Sequence, residues 1–196
     1  MTGPSEHIVD EILVMDCQSG RAEALDLLVS RWQKRLWRYA CRLTGDREAA
    51  WEVTQESWLG IVRGIRRLHD PARFRPWAYR IVTNKANDWI KRKIKHGPSE
   101  PETPLEPLAR DGRQASETAV DLEAILNRLG ERSRTILTLY YLEELDVTEI
   151  ARVLNIPAGT VKSRLYTART EFKQQWQAAN RLPEMSTPAC QKGETQ

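Results

Sequence analysis

Asp146-Val-Thr-Glu-Ile-Ala-Arg-Val-Leu-Asn-Ile-Pro-Ala-Gly-Thr-Val-Lys-Ser-Arg-Leu165 reads as two short helices joined by a tight turn. Asp146 and Glu149 have the spacing of a capping box, in which the first side chain accepts from exposed helical N–H groups and the second reaches back. Ile150, Ala151, Val153 and Leu154 supply the inward face of the first helix, and Ala151 is small enough for a second helix to approach closely. Asn155 stands where the chain must turn through a left-handed conformation, which Asn tolerates better than most residues. Pro157 suits the start of the next helix, because its missing N–H has no partner to lose there. With Val161 and Leu165 pointing back, Lys162, Ser163, Tyr166 and Arg169 are left on the outer side, flanked by Thr160 and Arg164. Such a helix fits the major groove of DNA, where Lys, Arg and Ser reach base edges and phosphates. The helix-turn-helix, running from about Asp146 to Phe172, implies DNA binding without specifying which kind of DNA-binding protein carries it.

Upstream, Leu122, Ile125, Leu126 and Leu129 predict one helix, which Gly130 is expected to end, and Ile136, Leu137, Leu139, Tyr140 and Leu142 predict another. Before them the composition changes. Pro98, Pro101, Pro104 and Pro107 recur every third residue among Ser, Glu and Thr, a pattern that suits an extended, flexible linker. At about 3.1 Å per residue, some twenty such residues reach roughly 60 Å. The N-terminal half is helical again. Leu25, Leu28, Trp32, Leu36, Tyr39 and Leu43 mark one face. Gly45-Asp46 breaks the pattern, with Asp46 as N-cap of a helix carrying Ala50, Val53, Trp58, Ile61, Val62 and Ile65. A third helix starts near Phe74 to Trp77 and runs to about Lys95. The expected fold is therefore all-α, with two small helical domains joined by a Pro-rich linker. The divisions are an N-terminal segment at 1–20, a first domain at 21–95, a linker at 96–118, a second domain at 119–178 and a disordered tail at 179–196.

Charge is unevenly distributed. The stretch from Gly60 to Lys95 holds eleven Lys or Arg against two acids, whereas residues 1–30 carry six acids and one Arg. One surface suits a polyanion and another avoids it. On the third helix Arg80, Asn84, Asn87 and Lys91 step by four, three and four, and so fall within an arc of roughly 60° at about 100° per residue. Before it, His69-Asp-Pro-Ala-Arg-Phe-Arg75 sets Arg73 and Arg75 around an aromatic, a loop able to hold an unstacked base while arginines grip the backbone. No stretch is long and apolar enough to span a membrane, and no secretory signal is evident. The three cysteines are far apart and odd in number, showing neither a disulfide framework nor metal-ligand spacing. His7, His69 and His96 are isolated from them and from one another. No metal, cofactor or catalytic group is expected, and a reducing cytoplasm fits best.

Gly45-Asp-Arg-Glu-Ala-Ala-Trp-Glu-Val-Thr-Gln-Glu-Ser-Trp-Leu59 resembles region two of bacterial RNA polymerase sigma factors. Phe74-Arg-Pro-Trp-Ala-Tyr-Arg-Ile-Val-Thr-Asn-Lys-Ala-Asn-Asp-Trp-Ile90 resembles the helix of that region which melts the −10 promoter element. Ile156-Pro-Ala-Gly-Thr-Val-Lys-Ser-Arg-Leu-Tyr-Thr-Ala-Arg169 is similar to the region-four helix that reads the −35 element. The order is the family's own, and with no third domain between them the chain looks like the extracytoplasmic-function (ECF) group. The resemblance implies that Glu52, Gln55 and Glu56 contact core polymerase. It places Arg73, Arg75, Arg80, Asn84, Asn87 and Lys91 at the −10 element, and Thr160, Lys162, Ser163, Arg164, Tyr166 and Arg169 at the −35 element. It also implies an anti-sigma factor as partner and a stress or envelope signal, with no small-molecule cofactor and no membrane insertion. Trp51 stands where members usually carry an acid, Thr167 where many carry Arg, and Gly130 where Pro is common. Two rival readings fit less well. A ligand-sensing regulator leaves the basic first half unexplained, and a nucleic-acid enzyme lacks paired carboxylates or His-Cys clusters.

Overall fold

The structure, a computed structural model, describes residues 4–96 and 122–180. Of the expected linker (96–118) and tail (179–196), residues 97–118 and 181–196 lie outside the described residues. Eight α-helices are described: α1 (Pro4–Gln18), α2 (Ala22–Thr44), α3 (Arg47–Gly64), α4 (Phe74–His96), α5 (Leu122–Arg128), α6 (Glu131–Leu137), α7 (Val147–Leu154) and α8 (Ala158–Ala179). Short 3-10 turns at Ile65–Arg67 and Pro71–Arg73 connect α3 to α4, and a π-helical turn at Thr138–Leu142 follows α6. Among the described residues there is no strand, so the all-helical expectation holds.

The first half is built on the aromatic face of α2. Leu28, Trp32, Leu36 and Tyr39 recur at four- and three-residue intervals and are at most 1% exposed. Trp32 meets Phe74 edge-on at 5.3 Å between ring centroids, and Tyr39 meets Tyr79 at 5.0 Å. Each such pair adds about 0.5–1.5 kcal/mol beyond the area it buries. Gly45, at φ 72°, ends α2 in the left-handed conformation that glycine adopts without steric cost. Asp46 then caps α3 by accepting from the N–H groups of Glu48 and Ala49 at 2.8 and 3.0 Å.

One helix is added to those expected, and one local expectation is corrected. The N-terminal segment contains a full helix, α1, whose Leu13, Val14 and Cys17 enter the core. Its end is fastened by the Gln18 amide, which donates to the carbonyls of Ile65 and Leu68 at 3.0 and 2.6 Å. Gly130 does not close α5 with a left-handed turn. Its φ of −57° and ψ of 149° place it as the residue that opens α6.

In the second half, α7 and α8 form the helix-turn-helix. Asp146 accepts from the Glu149 N–H and Glu149 accepts from the Asp146 N–H, both at 2.8 Å, completing the capping box. Asn155 is left-handed at φ 52°, ψ 48°. Ile150 and Val153 of α7 and Val161, Leu165 and Ala168 of α8 are buried where the helices meet. The two halves also pack on each other, α7 against α4 and α6 against α2.

Candidate nucleic-acid interface

Helix α4 is two-sided for a simple reason. Ala78, Val82 and Ala86 are fully buried at four-residue steps, so the opposite side is held toward solvent. Arg80, Asn84 and Lys91 are exposed there, with Asn87 half-buried between them. In the preceding loop Asp70 accepts from the Ala72 N–H at 3.1 Å and pairs with Arg73 at 2.9 Å, leaving the Arg73 side chain mostly exposed.

Arg75 is different. Sequence reasoning placed it beside Arg73 at the loop surface, but it is 8% exposed. Its guanidinium Nη2 donates to the carbonyl of Glu143, at the end of the π-helical turn in the other half of the chain. The Glu143 side chain fills the same socket. One carboxylate oxygen accepts from the Tyr79 hydroxyl, and the other lies 3.4 Å from the guanidinium of Arg42. Arg42 also pairs with Glu123 of α5 at 3.4 Å. Burial pushes the Glu143 carboxyl above its usual range, against the Tyr79 hydrogen bond and the charges of Arg42, Arg35 and Arg75, which pull it down. The packed arrangement thus covers one of the arginines assigned to the −10 element and leaves Arg80 on a cleft shared with Thr148, Arg152 and Asn155.

The acidic side of α3 borders α4. Glu56 pairs with Lys85 at 3.0 Å, and both Glu52 and Glu56 lie 4.0 Å from Arg92. Pairs this exposed contribute little, about 0–1 kcal/mol, and exchange partners easily. Trp51, Gln55, Leu59 and Val62 are exposed and follow one another at four-, four- and three-residue steps along the same helix. Exposed apolar side chains therefore flank Gln55, a contribution that the assignment of Glu52, Gln55 and Glu56 alone omitted.

On α8, Lys162 and Ser163 are exposed, Tyr166 is 74% exposed, and Thr160 and Arg164 are half-buried. The Ser163 hydroxyl donates to the Thr160 carbonyl at 3.0 Å. Arg169, assigned to the same face, is turned toward the π-helical turn. Its guanidinium carbon lies 5.3 and 5.6 Å from the ring centres of Tyr140 and Tyr141. Ser163, Arg164 and Thr167 share a recess with Arg132 and Ser133 of α6. Those two residues belong to the same surface, yet only their charge and polarity marked them in the sequence. Among the described residues no group of His, Cys, Asp or Glu is arranged to hold a metal ion, and no helix is long and apolar enough to cross a membrane.

Comparison with known proteins identifies both halves of the chain. Residues 28–95 match Sigma-70 region 2, and residues 119–172 match Sigma-70, region 4. The ECF RNA polymerase sigma-E factor of Haemophilus influenzae is 29% identical over 183 residues, covering 84% of this chain and 94% of that protein. The ECF RNA polymerase sigma factor SigW of Bacillus subtilis is 26% identical over 175 residues, covering 83% of this chain and 94% of the relative. In fold, the chain resembles CnrH, solved with the cytosolic domain of CnrY, at a TM-score of 0.63 and 21% identity, covering 87% of this chain and 98% of that one. It also resembles the sigma factor RpoE of Bartonella quintana, solved with the anti-sigma factor NepR, at a TM-score of 0.66 and 16% identity, covering 78% and 96%. The two matched regions together span more than half of the sequence, occur in the family's order, and include both helices bearing the exposed polar faces. On these grounds the chain belongs to the ECF group of the sigma-70 family of RNA polymerase sigma factors.

Proposed function

We propose that the chain acts by joining core RNA polymerase, holding the −10 and −35 elements of a promoter with its two halves, and helping the strands to part. One observation carries the reading: a single chain bears regions 2 and 4 in order, each with a helix whose outer side is polar and exposed. In this reading Arg73, Arg80, Asn84, Asn87 and Lys91 meet the −10 element, and Arg75 joins them once it leaves its socket. Thr160, Lys162, Ser163, Arg164, Tyr166 and Arg169 meet the −35 element. Glu52, Gln55 and Glu56, with the exposed Trp51, Leu59 and Val62, dock on the polymerase, because exposed apolar side chains grouped on one side of a surface helix suit a protein partner.

Opening needs no covalent step from these residues. Bases that leave the stack are captured, and the unstacking cost of a few kcal/mol is offset by pocket contacts and phosphate pairing. Two elements about seventeen base pairs apart lie roughly 58 Å from each other at 3.4 Å per pair. Holding both elements raises the effective concentration of each half at its own site.

The place of action is the bacterial cytoplasm, where polymerase and promoters are. An anti-sigma factor is the expected regulator, since CnrH and the Bartonella RpoE were solved with CnrY and with the anti-sigma factor NepR respectively. The reading is tested by run-off transcription with purified core polymerase on a random promoter pool. It expects a stable complex with core and transcripts from a selected set of sequences. Failure to bind core, together with no template-dependent transcript, would overturn it.

A further inference from the structure

Glu143 is an unusual residue to find at the heart of a contact. It is a carboxylate 5% exposed, on the turn between α6 and α7, yet every partner of its side chain belongs to the first half of the chain. Tyr79 donates to it from α4, Arg42 faces it from α2, and Arg75 holds its backbone carbonyl. A buried acid surrounded by a tyrosine and guanidinium groups is matched to that socket, and an uncharged side chain there leaves the arginines without their counter-charge. The socket is not fully satisfied, because the Nε atoms of Arg42 and Arg75 are buried without a hydrogen-bond partner. Contact that leaves donors unpaired is held less firmly than its ion pairs suggest, and it is open to competition.

Its position has a geometric consequence. Helix α7 packs against α4 on one side and against α8 on the other. Two helix-to-helix steps of about 8–10 Å each put the two DNA-facing helices about 20 Å apart. Promoter elements about seventeen base pairs apart are separated by roughly 58 Å. The closed arrangement cannot reach both. It also buries Arg75.

We propose that Glu143 is an intramolecular latch, a carboxylate occupying the arginine socket of the first half, which keeps the chain in a closed form unable to engage both promoter elements until it is withdrawn. The regulatory consequence rests on the sigma-factor reading above; the closure itself does not.

The test uses the full chain with Cys190→Ser and spin labels at Ser30→Cys and Lys173→Cys, two exposed positions on α2 and α8. Pulsed electron–electron distance measurement should give one narrow, short distribution for the parent. Glu143→Gln, close in volume but uncharged, should add a broad, longer population with helical circular dichroism unchanged. Should that variant lose helicity, Arg42→Gln at the rim of the contact replaces it, with the same expectation. A broad distribution in the parent, or an unchanged narrow one in a folded variant, would overturn the latch. The second arm bridges Arg42→Cys and Glu123→Cys, neither of which is assigned to DNA or polymerase, with a disulfide-containing bismaleimide, because an Arg and a Glu that meet only at their ends leave their Cα atoms too far apart for a direct disulfide. Cross-linked, this chain should initiate at least tenfold less from a two-element promoter, and reductive cleavage of the linker should restore it. Equal transcription before and after cleavage would refute the inhibitory role while leaving the sigma-factor reading intact, because transcripts would still form.

Discussion

The Arg169 Nε donates to the Tyr141 hydroxyl at 2.9 Å, tying α8 to the π-helical turn before α7. With its guanidinium also over two tyrosine rings, Arg169 braces the domain as well as carrying charge. Exposed cation–π contacts contribute about 0.5–1 kcal/mol. Arg169→Ala should therefore lower the urea midpoint by an equivalent amount. A double-mutant cycle with Tyr141→Phe should show coupling of about 0.5 kcal/mol, the size of a typical exposed hydrogen bond. Strict additivity would mean that the contact contributes nothing.

Asn84 is exposed in the middle of the polar stripe on α4. Asn84→Ala should reduce open-complex formation more than initial promoter binding. Permanganate reactivity of thymines near −10, measured beside gel-shift affinity, separates the two. Equal melting by variant and parent would remove the residue from the opening step.

Lys162 lies exposed in the first turns of α8, and under the proposed function a negative charge there would face DNA phosphates. Lys162→Glu should depress transcription from promoters that depend on a −35 element and spare those that do not. A matched promoter pair with intact and mutated −35 sequences reads the difference. An unchanged ratio would release Lys162 from its assigned role.

Gly64 has no room for a side chain. An added Cβ would sit 2.8 Å from the Trp77 ring. Gly64→Ala should destabilise by about 1–3 kcal/mol, the usual cost of overpacking. Gly159, near the start of α8, has nothing within 4 Å of the same added atom. Gly159→Ala should stabilise by no more than about 1 kcal/mol through helix propensity. Thermal melts of the two variants should move in opposite directions.

Alkaline pH should loosen the first half. Burial pushes the Cys41 thiol up to about 11, against the favourable charges of Arg47 and Arg42, and burial likewise raises the hydroxyls of Tyr39 and Tyr79. In the unfolded chain these groups ionise at their ordinary values, about 8.5 for the thiol and 10 for the hydroxyls. Above about pH 9 the unfolded state therefore binds fewer protons than the native one, and stability falls as pH rises toward 11. Denaturation midpoints at pH 8, 9.5 and 10.5 should decline in that order. A Cys41→Ala chain should decline less steeply.

Much of this architecture was legible in the residues themselves. The capping box at Asp146 and the left-handed Asn155 are local chemistry, complete within a few positions, and both helices of the DNA-binding motif follow from them. Helix α1 was not legible because its core-facing Leu13, Val14 and Cys17 are few and lie among the acids Glu6, Asp10, Glu11 and Asp16. Arg75 was misplaced for a deeper reason. Its partner lies 68 residues away, and no periodicity connects an arginine in one half with a glutamate in the other. Arg169 shows the same limit, since its position on α8 was readable but the tyrosines that claim its guanidinium were not.

The aromatic core of α2 and α4 also makes the molecule its own spectroscopic instrument. Six of the seven tryptophans lie between residues 32 and 89, and only Trp176 lies beyond, at 39% exposure on α8. Intrinsic emission therefore follows the first half almost exclusively, with the buried Trp32 as its blue-shifted component. A single-tryptophan chain retaining Trp176 would follow the second half alone. Comparing the two fluorescence transitions would reveal whether the halves unfold as one cooperative unit or in sequence.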